Sequence, residues 1–168
     1  AATIINDAPV VFHDRALEDT WRPENYSGRF YGPTRLRMAL AHSRNLVSIR
    51  LLQQIGIRYA VDYLERFGFP QDQLNAHRDL SLALGSVQLT PLQVVRGYAT
   101  FANTGYLIEP YLIDSVQDFS GQTIYQAQPQ RACNAQCVEG DPQNAPRVVT
   151  PQNAYIMTSM MQDVINHG

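Results

Sequence analysis

The chain has 168 residues, 45% of them apolar and 17% charged, with a net charge of -2, which is enough for one domain with a real core and forces no second. No basic stripe marks a nucleic-acid footprint, so nucleic acid is not an expected partner. The longest apolar runs, such as Leu82-Ala83-Leu84, fall far short of the roughly 18 residues that a membrane helix needs, so nothing here is expected to span a bilayer.

Residues Ala2 to Phe12 hold two short runs rich in β-branched and aromatic residues with Asn6-Asp7-Ala8-Pro9 as a turn signal between them, which predicts a strand or small hairpin. No initiator Met, charged leader or apolar stretch precedes it. The chain stops at Gly168 straight after a helical pattern, and both ends read as internal. Thr20 to Phe30, rich in Trp, Pro, Asn, Tyr and Gly, has no period and reads as a loop held by aromatic packing. Gly32-Pro33-Thr34 predicts a helix start, with Pro33 in the first turn. The apolar face of that helix is Leu36, Ala39 and Leu40, and it ends at His42. A second helix follows Ser43, with Leu46, Ile49, Leu52 and Ile55 at helical spacing and Gly56 as its stop. A third carries Ala60, Tyr63, Leu64 and Phe67 and closes at Gly68.

Thr90-Pro91-Leu92-Gln93 has the form of a capping box, opening a helix with a predicted buried stripe of Val95, Tyr98, Ala99 and Ala102. Asn103-Thr104-Gly105 breaks it. Tyr111 to Val116 and Thr123 to Ala127 read as a hairpin around Ser120-Gly121, and Gln128 to Arg147 as a polar loop. Within that loop, Cys133 and Cys137 suit a small disulfide in an oxidising compartment, or a pair of free thiols. A zinc site is the weaker idea, because the spacing is Cys-x3-Cys with no second ligand pair nearby. A last helix starts at Thr150 and turns Met157, Met160, Met161 and Val164 to one side, as core packing.

The candidate chemistry lies in Ser43-Arg44-Asn45, at the junction of two predicted helices. A hydroxyl and a carboxamide two residues apart in a turn can face one cleft. The hydroxyl can relay a proton, while the carboxamide offers an acceptor and two donors. The competing reading is ordinary capping, since Ser and Asn are common at helix starts. His42 adjoins Ser43, but neighbours at a helix end point apart, which argues against a Ser-His dyad. Asp62 and Glu65 lie one turn apart and read as a solvated face, and Asn25-Tyr26-Ser27 fits a glycosylation pattern of the kind that arises by accident. No Gly-x-Ser-x-Gly, His-Glu-x-x-His or phosphate-loop motif is present. All thirteen basic residues are arginine, so no lysine is available to activate a serine.

Longer runs point further. Trp21-Arg22-Pro23-Glu24-Asn25-Tyr26 and Tyr31 to Asn45 resemble the segment around the second active-site motif of class A penicillin-binding proteins. Ser81-Leu82-Ala83-Leu84-Gly85-Ser86, Thr90-Pro91-Leu92-Gln93 and Gly97 to Asn103 resemble the same family. The resemblance covers nearly the whole chain and is weakest at Gln128 to Arg147.

It implies an α/β (α+β) penicilloyl-serine transpeptidase or β-lactamase-like fold, represented mostly by its helical part plus short antiparallel strands, with residues 1–168 a partial transpeptidase domain. In that family three motifs meet: Ser-x-x-Lys, Ser-x-Asn and Lys-Thr-Gly. Only the middle one is present here, as Ser43 and Asn45, and these are the catalytic and substrate-binding residues that the resemblance implies. The implied partners are peptidoglycan stem peptides ending in D-Ala-D-Ala, and β-lactam antibiotics. No cofactor or metal is implied.

The implied activity is that of a peptidoglycan D,D-transpeptidase at the periplasmic face of the bacterial inner membrane. Its membrane anchor and a glycosyltransferase domain would lie outside this chain. Two alternatives stand beside it. One is a non-catalytic peptidoglycan-binding or scaffolding domain that kept the fold. The other is a class B penicillin-binding protein or β-lactamase-like hydrolase, against which the helices after Ser43 and the Leu-Ala-Leu-Gly-Ser run favour class A.

Overall fold

The computed structural model describes residues 1–14, 19–76, 78–133 and 141–168. The chain divides into two compact units, one of residues 1–89 with 156–168 and the other of residues 90–155.

In the first unit, strand β1 (Ile4–Asp7) alternates outward and inward, burying Ile5 and Asp7. The N-terminal strand reading holds, but its partner is not the adjacent segment. It pairs antiparallel with β4 (Gly32–Arg35), Ile5 facing Thr34 and Asp7 facing Gly32. A separate pair joins β2 (Phe12–Asp14) to β3 (Asp19–Trp21), with Phe12 stacked on Trp21 at 5.5 Å.

The predicted helix start at Gly32-Pro33-Thr34 is therefore a strand. Pro33 fits both roles locally: it suits a helix's first turn, and it is tolerated in a two-stranded sheet, where one edge makes no ladder bond. Tertiary pairing decides for the strand. Helix α1 (Leu36–Ala41) begins after it, and the Leu36 N–H donates to the Thr3 carbonyl at 2.9 Å in place of a side-chain cap.

Helices α2 (Asn45–Ile55) and α3 (Ile57–Glu65) meet at Gly56, whose φ of 88° suits a residue without a Cβ. Leu46, Val47, Ile49 and Leu52 are buried, and Val47 joins Ile5 and Ala39 in a core on which Leu36 and Leu51 pack. Leu40 and Ile55, expected inside, are exposed. In α3 the fully buried residue is Val61. The short helix α4 (Gln71–Asn75) buries Leu74, and a 3-10 turn over Leu80–Leu84 packs on α2. The Asp62–Glu65 pair is not one solvated face. Asp62 faces the exposed Arg58, whereas Glu65 is half-buried and its Oε1 has no hydrogen-bond partner among the described residues.

Helix α6 (Pro151–His167) gives residues 156–167 to this unit. Arg37 of α1 fastens that stretch, with Nη1 donating to the Ser159 carbonyl at 3.0 Å and to Asp163 Oδ2 at 2.7 Å. Of the methionine stripe Met160 is buried, Met157 and Met161 are half-buried, and Val164 is exposed.

The second unit opens on α5 (Pro91–Ala102), where the capping box forms as read: Gln93 N–H donates to Thr90 Oγ1, and Gln93 Oε1 accepts from Thr90 N–H. The predicted stripe is misplaced. Val95 and Tyr98 are each 62% exposed, and the buried positions are Gly97 and Thr100. The hairpin β5 (Ser115–Gln117) and β6 (Thr123–Gln126) turns on Asp118, which accepts from the Ser120 hydroxyl and from Ser120 and Gln122 N–H. Those bonds, the Ser120 hydroxyl foremost, hold its carboxyl below the usual range.

Cys133 is disulfide-bonded, whereas Cys137 lies outside the described residues and with it the expected Cys133–Cys137 pairing. After α5 the chain passes Gly105 at φ 97°, packed against the Val149 backbone. A Cβ there would strike the Val149 carbonyl. Gly105→Ala is expected to lower stability by about 2 kcal/mol, through backbone strain and the forced shift, as read by thermal unfolding.

Candidate functional site

Ser43 sits in the turn between α1 and α2 with φ of 50°, a left-handed conformation that favours glycine. The turn is closed by two backbone bonds, Arg44 N–H to the Ala39 carbonyl at 2.9 Å and Ser43 N–H to the Leu40 carbonyl at 3.1 Å. That is the Schellman arrangement, with serine in the position that glycine usually takes. Thr104 at φ 55° occupies the same place after α5, with Gly105 N–H reaching the Thr100 carbonyl at 2.8 Å. Left-handed geometry alone therefore does not single out Ser43.

What does single it out is the capping. Read from sequence, Ser43 could simply have capped α2. The first residue outside that helix is Arg44, and α2 has no local side-chain cap. The Leu46 N–H donates instead to Asn25 Oδ1 at 3.3 Å, from a residue 21 positions earlier. With its capping work done elsewhere, the Ser43 hydroxyl is exposed and makes no hydrogen bond among the described residues.

Asn25 is the residue that sequence reading passed over as an accidental glycosylation pattern. It is 4% exposed and lies beside Asp7, which is fully buried. Its Nδ2 donates to Asp7 Oδ1 at 2.8 Å, to Asp7 Oδ2 at 2.9 Å and to the Arg29 carbonyl at 2.9 Å. One carboxamide thus joins β1, the loop before β4 and the first turn of α2. Nothing in the local sequence announced this; in the structure Asp7 takes an inward strand position and Gly28 N–H returns to the Asn25 carbonyl at 2.8 Å.

Asn45 lies half-buried on the first turn of α2, its Nδ2 donating to the Glu24 carbonyl at 3.0 Å. That bond fixes the carboxamide plane. Its Oδ1 has no partner among the described residues, so an acceptor is left for another molecule. Arg44, between the two, lays its guanidinium on the Tyr31 ring, 3.4 Å from the ring centre. His42 is exposed at the end of α1. Among the described residues no group of three or more His, Cys, Asp or Glu is placed to hold a metal ion, and no helix is long and apolar enough to cross a membrane.

A strained turn, an unbonded serine hydroxyl and an oriented asparagine are thus brought together on one segment. The sequence profile of the Penicillin binding protein transpeptidase domain matches residues 3–168. The chain belongs to that family. Penicillin-binding protein 1A of Pseudomonas aeruginosa is 40% identical over 204 residues, covering 100% of this chain and 25% of its own length. That of Neisseria flavescens is 43% identical over 169 residues, covering 100% of this chain and 20% of its own.

Among solved structures, penicillin-binding protein 1A from Haemophilus influenzae superposes with a TM-score of 0.87 at 33% identity, over 99% of this chain and 27% of that one. The chain therefore spans a quarter or less of the curated relatives' length. Its fold is that of the penicilloyl-serine transpeptidases, an α/β arrangement of helices with short antiparallel strands.

Proposed function

We propose that this chain is the central part of a peptidoglycan D,D-transpeptidase domain, with Ser43 and Asn45 as its Ser-x-Asn motif. The observation that carries the reading is the division of labour at the turn: Asn25 caps α2, leaving the Ser43 hydroxyl unbonded beside a carboxamide already oriented by Glu24. Because the chain contains no lysine, the Ser-x-x-Lys nucleophile and the Lys-Thr-Gly strand come from other segments of the parent protein. Arginine cannot replace the lysine base, because it stays protonated.

In this reading the nucleophilic serine gives its proton to the lysine and attacks the carbonyl between two D-alanines. The acyl-serine ester forms and the peptide C–N bond breaks. Ser43 passes a proton to the departing D-alanine nitrogen, and Asn45 receives the substrate's backbone amide on its open Oδ1. Backbone N–H groups near the nucleophile stabilise the oxyanion. An amine from a second stem peptide then attacks the ester, forms the cross-link and regenerates the serine. A β-lactam acylates the same serine through opening of its ring C–N bond. The parent is placed at the periplasmic face of the inner membrane, by an anchor outside this chain, and carries a glycosyltransferase domain as well.

Fluorescent penicillin tests this. The parent protein is expected to label and the 168-residue chain alone is not. A parent that does not label is a non-catalytic scaffold, and labelling of the isolated chain would reveal a nucleophile other than the one assigned.

A further inference from the structure

We infer that Tyr31 is a positioning residue for the Ser-x-Asn turn, acting through the face of its ring on Arg44; this rests on the function proposed above. Three consecutive residues make up the turn, and each outer one has a different relation to its surroundings. Asn45 is anchored by the Glu24 carbonyl. Ser43 has no side-chain anchor among the described residues and holds a left-handed φ of 50°. Its hydroxyl can be aimed only by the backbone on either side of it. On the α1 side the two turn-closing bonds do this. On the α2 side the Arg44 carbonyl accepts from the Ser48 N–H at 3.2 Å, and the Arg44 side chain adds a further anchor.

That side chain is not free. Its guanidinium carbon lies over the Tyr31 ring, 3.4 Å from the ring centre, a cation–π contact. Tyr31 directly precedes β4, which is laddered to β1, and its hydroxyl donates to Ser27 Oγ at 3.5 Å. The stack therefore ties the turn to the sheet side of the unit, in addition to the backbone bonds that Arg44 N–H makes to the Ala39 carbonyl and its own carbonyl accepts from Ser48 N–H. The Ser27 hydroxyl foremost, and then Arg44, hold the Tyr31 phenol below its ordinary pKa. Arg44 lies at the x of Ser-x-Asn, and Tyr31 is outside the motif altogether.

The test is penicillin acylation of the parent protein, resolved into its binding constant and its first-order acylation constant. Tyr31→Leu is expected to slow the acylation constant about threefold to fivefold with binding little changed, the scale of an exposed cation–π contact. Tyr31→Phe and Tyr31→Trp keep a ring face and are expected to stay within about twofold of wild type. Arg44→Met should slow acylation as Tyr31→Leu does, and the double variant should be no slower than either single one.

A Leu variant at the wild-type rate, a Phe variant as slow as Leu, or additive single effects would each overturn the inference. Thermal unfolding of each variant separates a positioning effect from simple destabilisation, because a structural role would track side-chain volume, which Leu and Phe test in opposition to ring character. If the wild-type parent does not label at all, the functional reading itself fails. A labelled parent with an unaffected Leu variant sinks only the role of Tyr31.

Discussion

Replacing Ser43 by alanine is expected to slow penicillin acylation of the parent by roughly 10², the size of a lost acid-base contribution. Glycine at the same position should slow acylation equally and yet stabilise the fold. Ser43 stands at φ 50° in a Schellman turn, where a Cβ is unfavourable, so Ser43→Gly relieves strain worth about 0.5–1 kcal/mol. Stability and activity then move in opposite directions at one residue. Stopped-flow acylation and denaturant unfolding on the same two variants measure both. An active glycine variant would remove the hydroxyl from the mechanism, and a destabilised one would mean that the Ser43 side chain supports the turn after all.

Asn25→Leu carries the largest expected loss of stability. Leucine fills similar volume but strands three groups at once: the buried Asp7 carboxylate, the Arg29 carbonyl and the Leu46 N–H. A buried group left without its hydrogen-bond partner typically costs about 1–3 kcal/mol, and two such losses together go far beyond an ordinary surface substitution. The exchange Asp7→Asn with Asn25→Asp restores a donor facing a carboxylate, with the acceptor for Leu46 N–H retained, and should recover part of that loss. Urea unfolding reads both. A cost below about 1 kcal/mol for the leucine variant would mean that water reaches Asp7 and replaces the amide.

What the sequence disclosed divides along the range of the interactions. The Thr90–Gln93 box closes within four residues, and the Gly56 stop depends on one residue's φ; both were legible for that reason. Pro33 was ambiguous, because a helix's first turn and a sheet edge both spare its missing N–H, and only the pairing of Asn6 with Pro33 decided between them. In α5 the period was right and the face wrong: apolar residues surround the helix, and spacing cannot say whether Val95 and Tyr98 or Gly97 and Thr100 turn inward. Ser43 and Asn45 were legible as a motif. Asn25, which determines what Ser43 is free to do, was not, because its partners lie 18 and 21 residues away.

A helix sealed at its start by so distant a side chain has a consequence for engineering. Copying Ser43-Arg44-Asn45 with α1 and α2 into another scaffold would transplant the letters but leave the Leu46 amide open, and the serine would be drawn back to fill it. The smallest portable version of this motif runs from Asp7 to the first turn of α2.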